Sequence, residues 1–287
     1  EVVVRPMFAQ ANLNTLHRWY SALPDGTLNA DPRLQLSYAL ILHSIGSNED
    51  ALNQLTRVEK NAHLVPEDHH QHFQASVATI HALIASHTLR VDDTLVWAER
   101  ALQLLPEDDC YTLAGVHYAR GIIWSSAADN PTAALQDFDE TIRCGLQAGH
   151  FLLVSSALNK KGNVLRTMGR IKEAIQVYQQ ALDRLCHLPT PAKLAVYEGL
   201  AMAYYSQNRL ADAAAIFETH QLMEHIEQIE MPRVRLSIMI AYMTLLVAQE
   251  KWEAAEVVNQ QIHALAAAQS DSMFQRIVRA QEAWFAL

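Results

Sequence analysis

Histidine is the residue with which this chain most openly offers chemistry: 14 of its 287 residues are His. Three of them stand almost together in HHQH (His69, His70, His72), a spacing that invites a metal. No cysteine or second histidine pair lies nearby to close a tetrahedral site, so the motif reads as a solvated loop running into a helix. His220 and His225 are five apart and do not stack on one helical face. HExxH, G-x-S-x-G and a partnered pair of carboxylates are all missing, so the residues point away from an enzyme and name no catalytic or metal-binding group. No G-x-x-x-x-G-K-[ST] loop occurs, and no nucleotide or other cofactor is assigned to this stretch of chain. The most basic run is NKKGNVLRTMGRIK, with Lys160, Lys161, Arg166, Arg170 and Lys172 inside thirteen residues. It is a solvated face or a local anion site in an otherwise acidic protein.

Charge and hydropathy narrow the class. A formal charge of −9 argues against direct nucleic-acid binding, which needs a basic face for phosphates. Half of the residues are hydrophobic, enough for a folded core. The apolar run Leu236 to Gln249 spans 14 residues between charges, too short to cross a bilayer, and no basic-then-apolar leader opens the chain. Cys110, Cys144 and Cys186 are odd in number and widely spaced, which suits free thiols in a cytoplasmic setting better than a disulfide frame.

The elements that must position any site are helices. In GNVLRTMGRIKEAIQVYQQAL, Leu158, Gly162, Leu165 and Gly169 fall on one helical face, and Ala174, Tyr178, Ala181 and Leu185 repeat the pattern on a second helix. A glycine inside a helix costs about 1 kcal/mol relative to alanine, so Gly162 implies close helix packing, and Gly169 marks a helix end. This hairpin recurs. The small residue opening each second helix falls at Ala51, Thr94, Ala134, Ala174, Ala213 and Ala255, at intervals of 43, 40, 40, 39 and 42 residues. Gly46 precedes Ala51 as Gly169 precedes Ala174, and Asn208 takes that place before Ala213. A fixed period near 40 is the mark of a helical repeat array. Asp31-Pro32, Asn130-Pro131 and Thr190-Pro191 read as helix starts, and Pro106 as a stop.

The expected architecture is therefore all-α: one repeat domain over 1–287, cut in mid-repeat at both ends. It comprises a half repeat over 1–30 with one helix near 12–23 and six helical pairs at about 33–62, 70–105, 111–148, 151–186, 190–229 and 232–267. A half repeat over 271–287 closes it. Trp97, Trp124 and Trp252 are expected in the core, and Trp19 at the open first half repeat. The apolar end Trp284, Phe285 and Leu287 implies further protein beyond it.

Gly162, Leu165, Gly169, Ala174, Tyr178 and Ala181 resemble the tetratricopeptide pattern, although the usual period there is shorter. The N-terminal run with Leu16, Trp19, Leu23, Pro24, Leu28, Pro32 and Leu34 is similar to the start of the sensor region in MalT-like, ATP-dependent LuxR-type transcriptional regulators. YEGLAMAYYSQNRLADAAAIFE from Tyr197 resembles later repeats of that family. The resemblance implies a superhelical array that receives a small-molecule inducer or a protein partner and contributes to self-assembly of a cytoplasmic bacterial regulator. It also implies neighbouring nucleotide-binding and helix-turn-helix domains. A peptide-gripping scaffold with no inducer is the alternative. In such arrays the first helix of each pair lines the inner face. That register selects Tyr118, Asn159, Asn163, Arg166, Glu198 and Tyr205 as the ligand or partner groove, with Arg33 and His43 on the same projected face.

Overall fold

A computed structural model of the chain describes residues 12–186, 193–268 and 278–279, and the statements below concern these. They form helices and turns with no strand. A short α1 (Leu13–Ser21) and a single-turn-and-a-half α2 (Asp25–Ala30) precede twelve further helices among the described residues. These begin with the pairs α3 (Pro32–Ser44) with α4 (Asn48–Lys60), α5 (His70–His87) with α6 (Val91–Leu104), and α7 (Cys110–Ser126) with α8 (Pro131–Ala148). Then come α9 (Phe151–Thr167) and α10 (Ile171–Arg184), followed by α11 (Leu194–Ser206) with α12 (Leu210–Thr219), and α13 (Pro232–Ala248) with α14 (Trp252–Ala267). The chain divides into two compact units, Glu1–Val164 and Leu165–Leu287.

Local chemistry explains where the helices begin and end. Asp31 accepts the backbone N–H of Arg33 at 2.9 Å and Asn130 that of Ala133 at 3.1 Å, each cap preceding a proline that has no N–H to satisfy. Leu105 is extended ahead of Pro106, so α6 stops at Leu104. Thr190 and Pro191 lie outside the described residues. Between the two helices of every pair the backbone turns through one left-handed residue: Gly46, Leu89, Asp129, Gly169, Asn208 and Glu250, with φ of 93°, 57°, 45°, 76°, 58° and 60°. Each stands five residues before the small residue that opens the second helix, and Ala51, Thr94, Ala134, Ala174, Ala213 and Ala255 are all buried. The left-handed turn is thus a property of the repeat and not of glycine.

Packing separates first helices from second ones. A first helix lies between its own partner and its neighbours, and α7 buries residues on every side, from Cys110 through Ile123. Second helices bury one stripe: Thr94, Ala98 and Ala101 in α6, and Ala174, Tyr178 and Ala181 in α10. Gly162 is buried within α9, between the buried Leu158 and Leu165. In the second unit the core runs through Leu194, Phe217, Leu222, Met243 and Ile262.

Three expectations change. Trp252 is 57% exposed, because it is the first residue of α14, where no preceding turn covers it. The opening half repeat contains α2 as well as the expected helix. After α12 ends at Thr219 the fifth pair continues as turns, with Gln221 left-handed and a 3-10 turn over Ile226–Gln228, where helix was expected to 229. The helix expected over 271–286 lies outside the described residues apart from Val278 and Arg279, as do Trp284, Phe285 and Leu287.

Candidate functional site

The first unit holds a groove of about 460 Å³ on the face shared by successive first helices. That volume falls in the range of pockets that take metabolite-sized ligands. α3 contributes Arg33, Leu36, Ser37 and Leu40, spaced i, i+3, i+4 and i+7. α5 contributes one full-length stripe, His72, Phe73, Ser76, Thr79, Ile80 and Leu83, with His69 from the 3-10 turn Glu67–His69 before it. α7 adds Tyr111, Thr112 and Gly115, and His150 and Leu153 close the far end. A helix that must be apolar toward its neighbours and still face an opening carries exactly such a mixed stripe, since 3.6 residues per turn returns every third or fourth side chain to the opening.

The floor is aliphatic and aromatic, and the rim is polar. Each of three basic side chains at the groove has a carboxylate that does not line it. Asp31 takes Arg33 through two contacts, 3.1 Å from Nε and 3.0 Å from Nη2. His69 Nε2 lies 3.7 Å from Asp68, and His72 Nε2 lies 2.8 Å from Asp109. Asp109 also caps α7, accepting the Thr112 N–H at 3.1 Å. Burial pushes its carboxyl group up, but His72 and the Thr112 hydrogen bonds together outweigh this and hold it below the ordinary carboxylate range. The Tyr111 and His150 rings stack at 4.8 Å. Ser37, Ser76 and Thr79 donate their hydroxyl protons to the carbonyls of Arg33, His72 and Ala75.

The HHQH histidines therefore have three separate partners. His70 Nε2 approaches the Val65 carbonyl at 2.5 Å, while His69 and His72 face the groove. No group of three or more metal-binding side chains occurs among the described residues. The inner-face register found Arg33 but not the histidines, because HHQH straddles a turn and the start of α5, where helical periodicity gives no direction.

The six residues selected from the register occupy other places, and none lines this groove. Within the first unit Tyr118 is buried, meeting His87 edge-on at 6.3 Å and Phe138 at 6.2 Å. Asn159 is buried and accepts a hydrogen bond from Asn163 Nδ2 at 3.1 Å. Within the second unit Arg166 Nη1 reaches Ser206 Oγ at 3.5 Å, Glu198 is buried, and Tyr205 packs half-buried against the core. His43, projected on the same face, hydrogen-bonds His87 at 2.9 Å and Asn48 at 2.8 Å.

No helix among the described residues is long and apolar enough to cross a membrane. Solved structures with similar folds include a tetratricopeptide repeat protein from Parabacteroides merdae ATCC 43184. It is 17% identical with a TM-score of 0.54, over 93% of this chain and 88% of that one. The apo form of RapI is similar at 8% identity and a TM-score of 0.55, over 99% and 80%. These likenesses establish the fold as a tetratricopeptide-like array of antiparallel helix pairs. No curated protein sequence matches the chain. The profile of the MalT-like TPR region matches residues 75–286, and the chain belongs to that family.

Proposed function

We propose that the chain is the ligand-sensing and oligomerisation module of a cytoplasmic LuxR-type bacterial transcriptional regulator, and that the groove of the first unit is its receiving surface. The observation that carries this reading is the groove itself: an apolar floor with a few polar groups, built from the inner stripes of successive first helices. The array supplies no chemistry of its own. A ligand that binds one arrangement of the helices better than another shifts the population of that arrangement, and neighbouring nucleotide-binding and helix-turn-helix domains read the shift. Family membership supports the sensor role.

A scaffold that grips a peptide in the same groove is the second reading, favoured by the length of the α5 stripe. Asn163, Arg166 and Tyr205 keep part of their side chains exposed and are proposed as secondary contacts, each within its own unit. Tyr118, Asn159 and Glu198, being buried, would act by holding the helices that carry those contacts.

The test uses the intact regulator. Self-assembly is followed by light scattering with ATP and with candidate metabolites or peptides, for the parent and for Ser76→Trp, which fills the groove. A ligand that promotes assembly of the parent and not of the variant supports the reading. Equal responses in both would place the receiving surface elsewhere.

A further inference from the structure

We infer that the groove of the first unit takes an uncharged, largely hydrocarbon small molecule that carries a hydroxyl group at most. This deepens the sensor reading above and rests on it. The first observation is charge. Arg33 is the one arginine or lysine of the lining, and no aspartate or glutamate lines the groove. Asp31 holds the Arg33 guanidinium through both Nε and Nη2, at 3.1 and 3.0 Å, so an entering molecule meets an ion pair and not a cation. A ligand anion must compete with Asp31 for that fork, and a ligand cation finds no carboxylate in the lining. Charge complementarity at this opening therefore selects a neutral molecule.

The second observation is that polar side chains of the lining are engaged within the protein. His72 Nε2 lies 2.8 Å from Asp109, and the Thr112 side chain hydrogen-bonds the same carboxylate. The Tyr111 and His150 rings stack at 4.8 Å. Ser37, Ser76 and Thr79 each donate to a backbone carbonyl of their own helix. A polar ligand group that is buried without a partner gives up its bonds to water for nothing. A sugar brings a hydroxyl on nearly every carbon, and an extended peptide brings an N–H and a C=O at almost every residue. A serine or threonine oxygen that has donated its proton still has lone pairs, which suit a single ligand O–H.

The third observation is the floor. Leu36, Leu40, Phe73, Ile80, Leu83 and Leu153 come together from α3, α5 and α9. Covering such a floor removes apolar surface from water, a gain that requires no donor or acceptor of the protein. The volume of about 460 Å³ suits a metabolite-sized body. A neutral hydrocarbon body satisfies rim and floor together.

The probes are octan-1-ol, its charged counterparts octanoate and octylamine, a glucose oligosaccharide, and an apolar hexapeptide. Each is titrated calorimetrically into the chain at pH 7 and submicellar concentration. Saturable binding of octan-1-ol is expected, with the negative heat-capacity change that marks apolar burial. Octanoate and octylamine should each bind at least about tenfold more weakly. Leu40→Ala and Leu153→Ala remove part of the floor and should each weaken octan-1-ol binding about three- to tenfold. Ser76→Trp should abolish it and Lys172→Ala, in the second unit, leave it unchanged, with circular dichroism confirming that every variant is folded. Octanoate or octylamine binding as tight as the alcohol would overturn the inference, as would octan-1-ol binding insensitive to Leu40→Ala and Leu153→Ala. Binding of the oligosaccharide or the peptide alone, abolished by Ser76→Trp, would refute the uncharged-ligand inference and leave the groove as the receiving surface. Binding unaffected by Ser76→Trp, or no binding by any probe, would also refute it. The sensor reading then falls only if self-assembly of the intact regulator responds alike in the parent and in Ser76→Trp.

Discussion

Replacing Gly199 by alanine tests how tightly successive pairs are locked together in the second unit. Gly199 lies in α11 opposite Tyr178 of α10, whose side chain is fully buried. A Cβ at position 199 would stand 2.4 Å from Tyr178 Cε1, 2.5 Å from Cζ and 2.7 Å from the hydroxyl oxygen. Ordinary contact is about 3.5–4.0 Å, so a rigid ring must retreat by roughly 1 Å inside a filled core. Such overpacking costs about 1–3 kcal/mol, and three simultaneous clashes favour the upper end. The helix-propensity gain of alanine over glycine returns about 1 kcal/mol, leaving a net loss of about 2 kcal/mol. In a chain of this length that lowers the melting midpoint by roughly 4–8 °C, read by circular dichroism at the helical band. Gly26→Ala is the matched control. Nothing lies within 4 Å of its added methyl, so only the gain of up to about 1 kcal/mol applies. The double variant Gly199→Ala/Tyr178→Ala should be more stable than Tyr178→Ala alone, because the clash is gone and the propensity gain remains. A midpoint for Gly199→Ala at or above the parent's would mean that Tyr178 can step aside, and the close crossing of α10 and α11 would be refuted.

The left-handed linkers predict the opposite sign. Glu250→Gly and Leu89→Gly should each raise stability by about 0.5–1 kcal/mol in urea unfolding, since a Cβ strains that backbone region, while Lys172→Gly in a right-handed helix should lower it. Asn130→Ala removes the cap of α8 and should cost about 1 kcal/mol by the same measurement, with Asn130→Asp nearly silent. Asp109 has a folded pKa below its ordinary 3.8, so its contribution is present above that value and is lost as pH falls through the folded pKa. Unfolding measured from pH 6 to pH 2 should show Asp109→Asn less stable than the parent at pH 6, with the two curves converging at the acid end. Parallel curves would mean that neither His72 nor the cap of α7 depends on the charge.

Periodicity alone determined the class of this protein. Small residues recurring every 39–43 positions and three proline-led helix starts are local features, and local features decide where helices form and how often. Helices among the described residues begin and end close to the caps and stops that these features mark, except after Thr219, where turns follow. The left-handed linker was legible at Gly46, Gly169 and Asn208, whose types favour that conformation. It was not legible at Leu89 or Glu250, where packing of the two helices imposes it on residues that would avoid it alone. Trp252 shows the converse: an apolar type does not guarantee burial at the first residue of a helix.

The site divides along the same line. Arg33, which the inner-face register projected, lines the groove, because helical position is a local property. Which polar residue of a first helix stays open and which is covered depends on the neighbour packed over it. Tyr118 meets Phe138 and His87, and Asn159 is buried with Asn163 as its hydrogen-bond partner, neither of which spacing can reveal. His72 turns toward Asp109, 37 positions away in sequence, and lines one opening with Arg33 and His69. Sequence determined the helices and their period because both follow from backbone hydrogen bonds and side-chain size within a few residues. The groove belongs to the tertiary structure, because its charge pattern exists only once four first helices lie side by side.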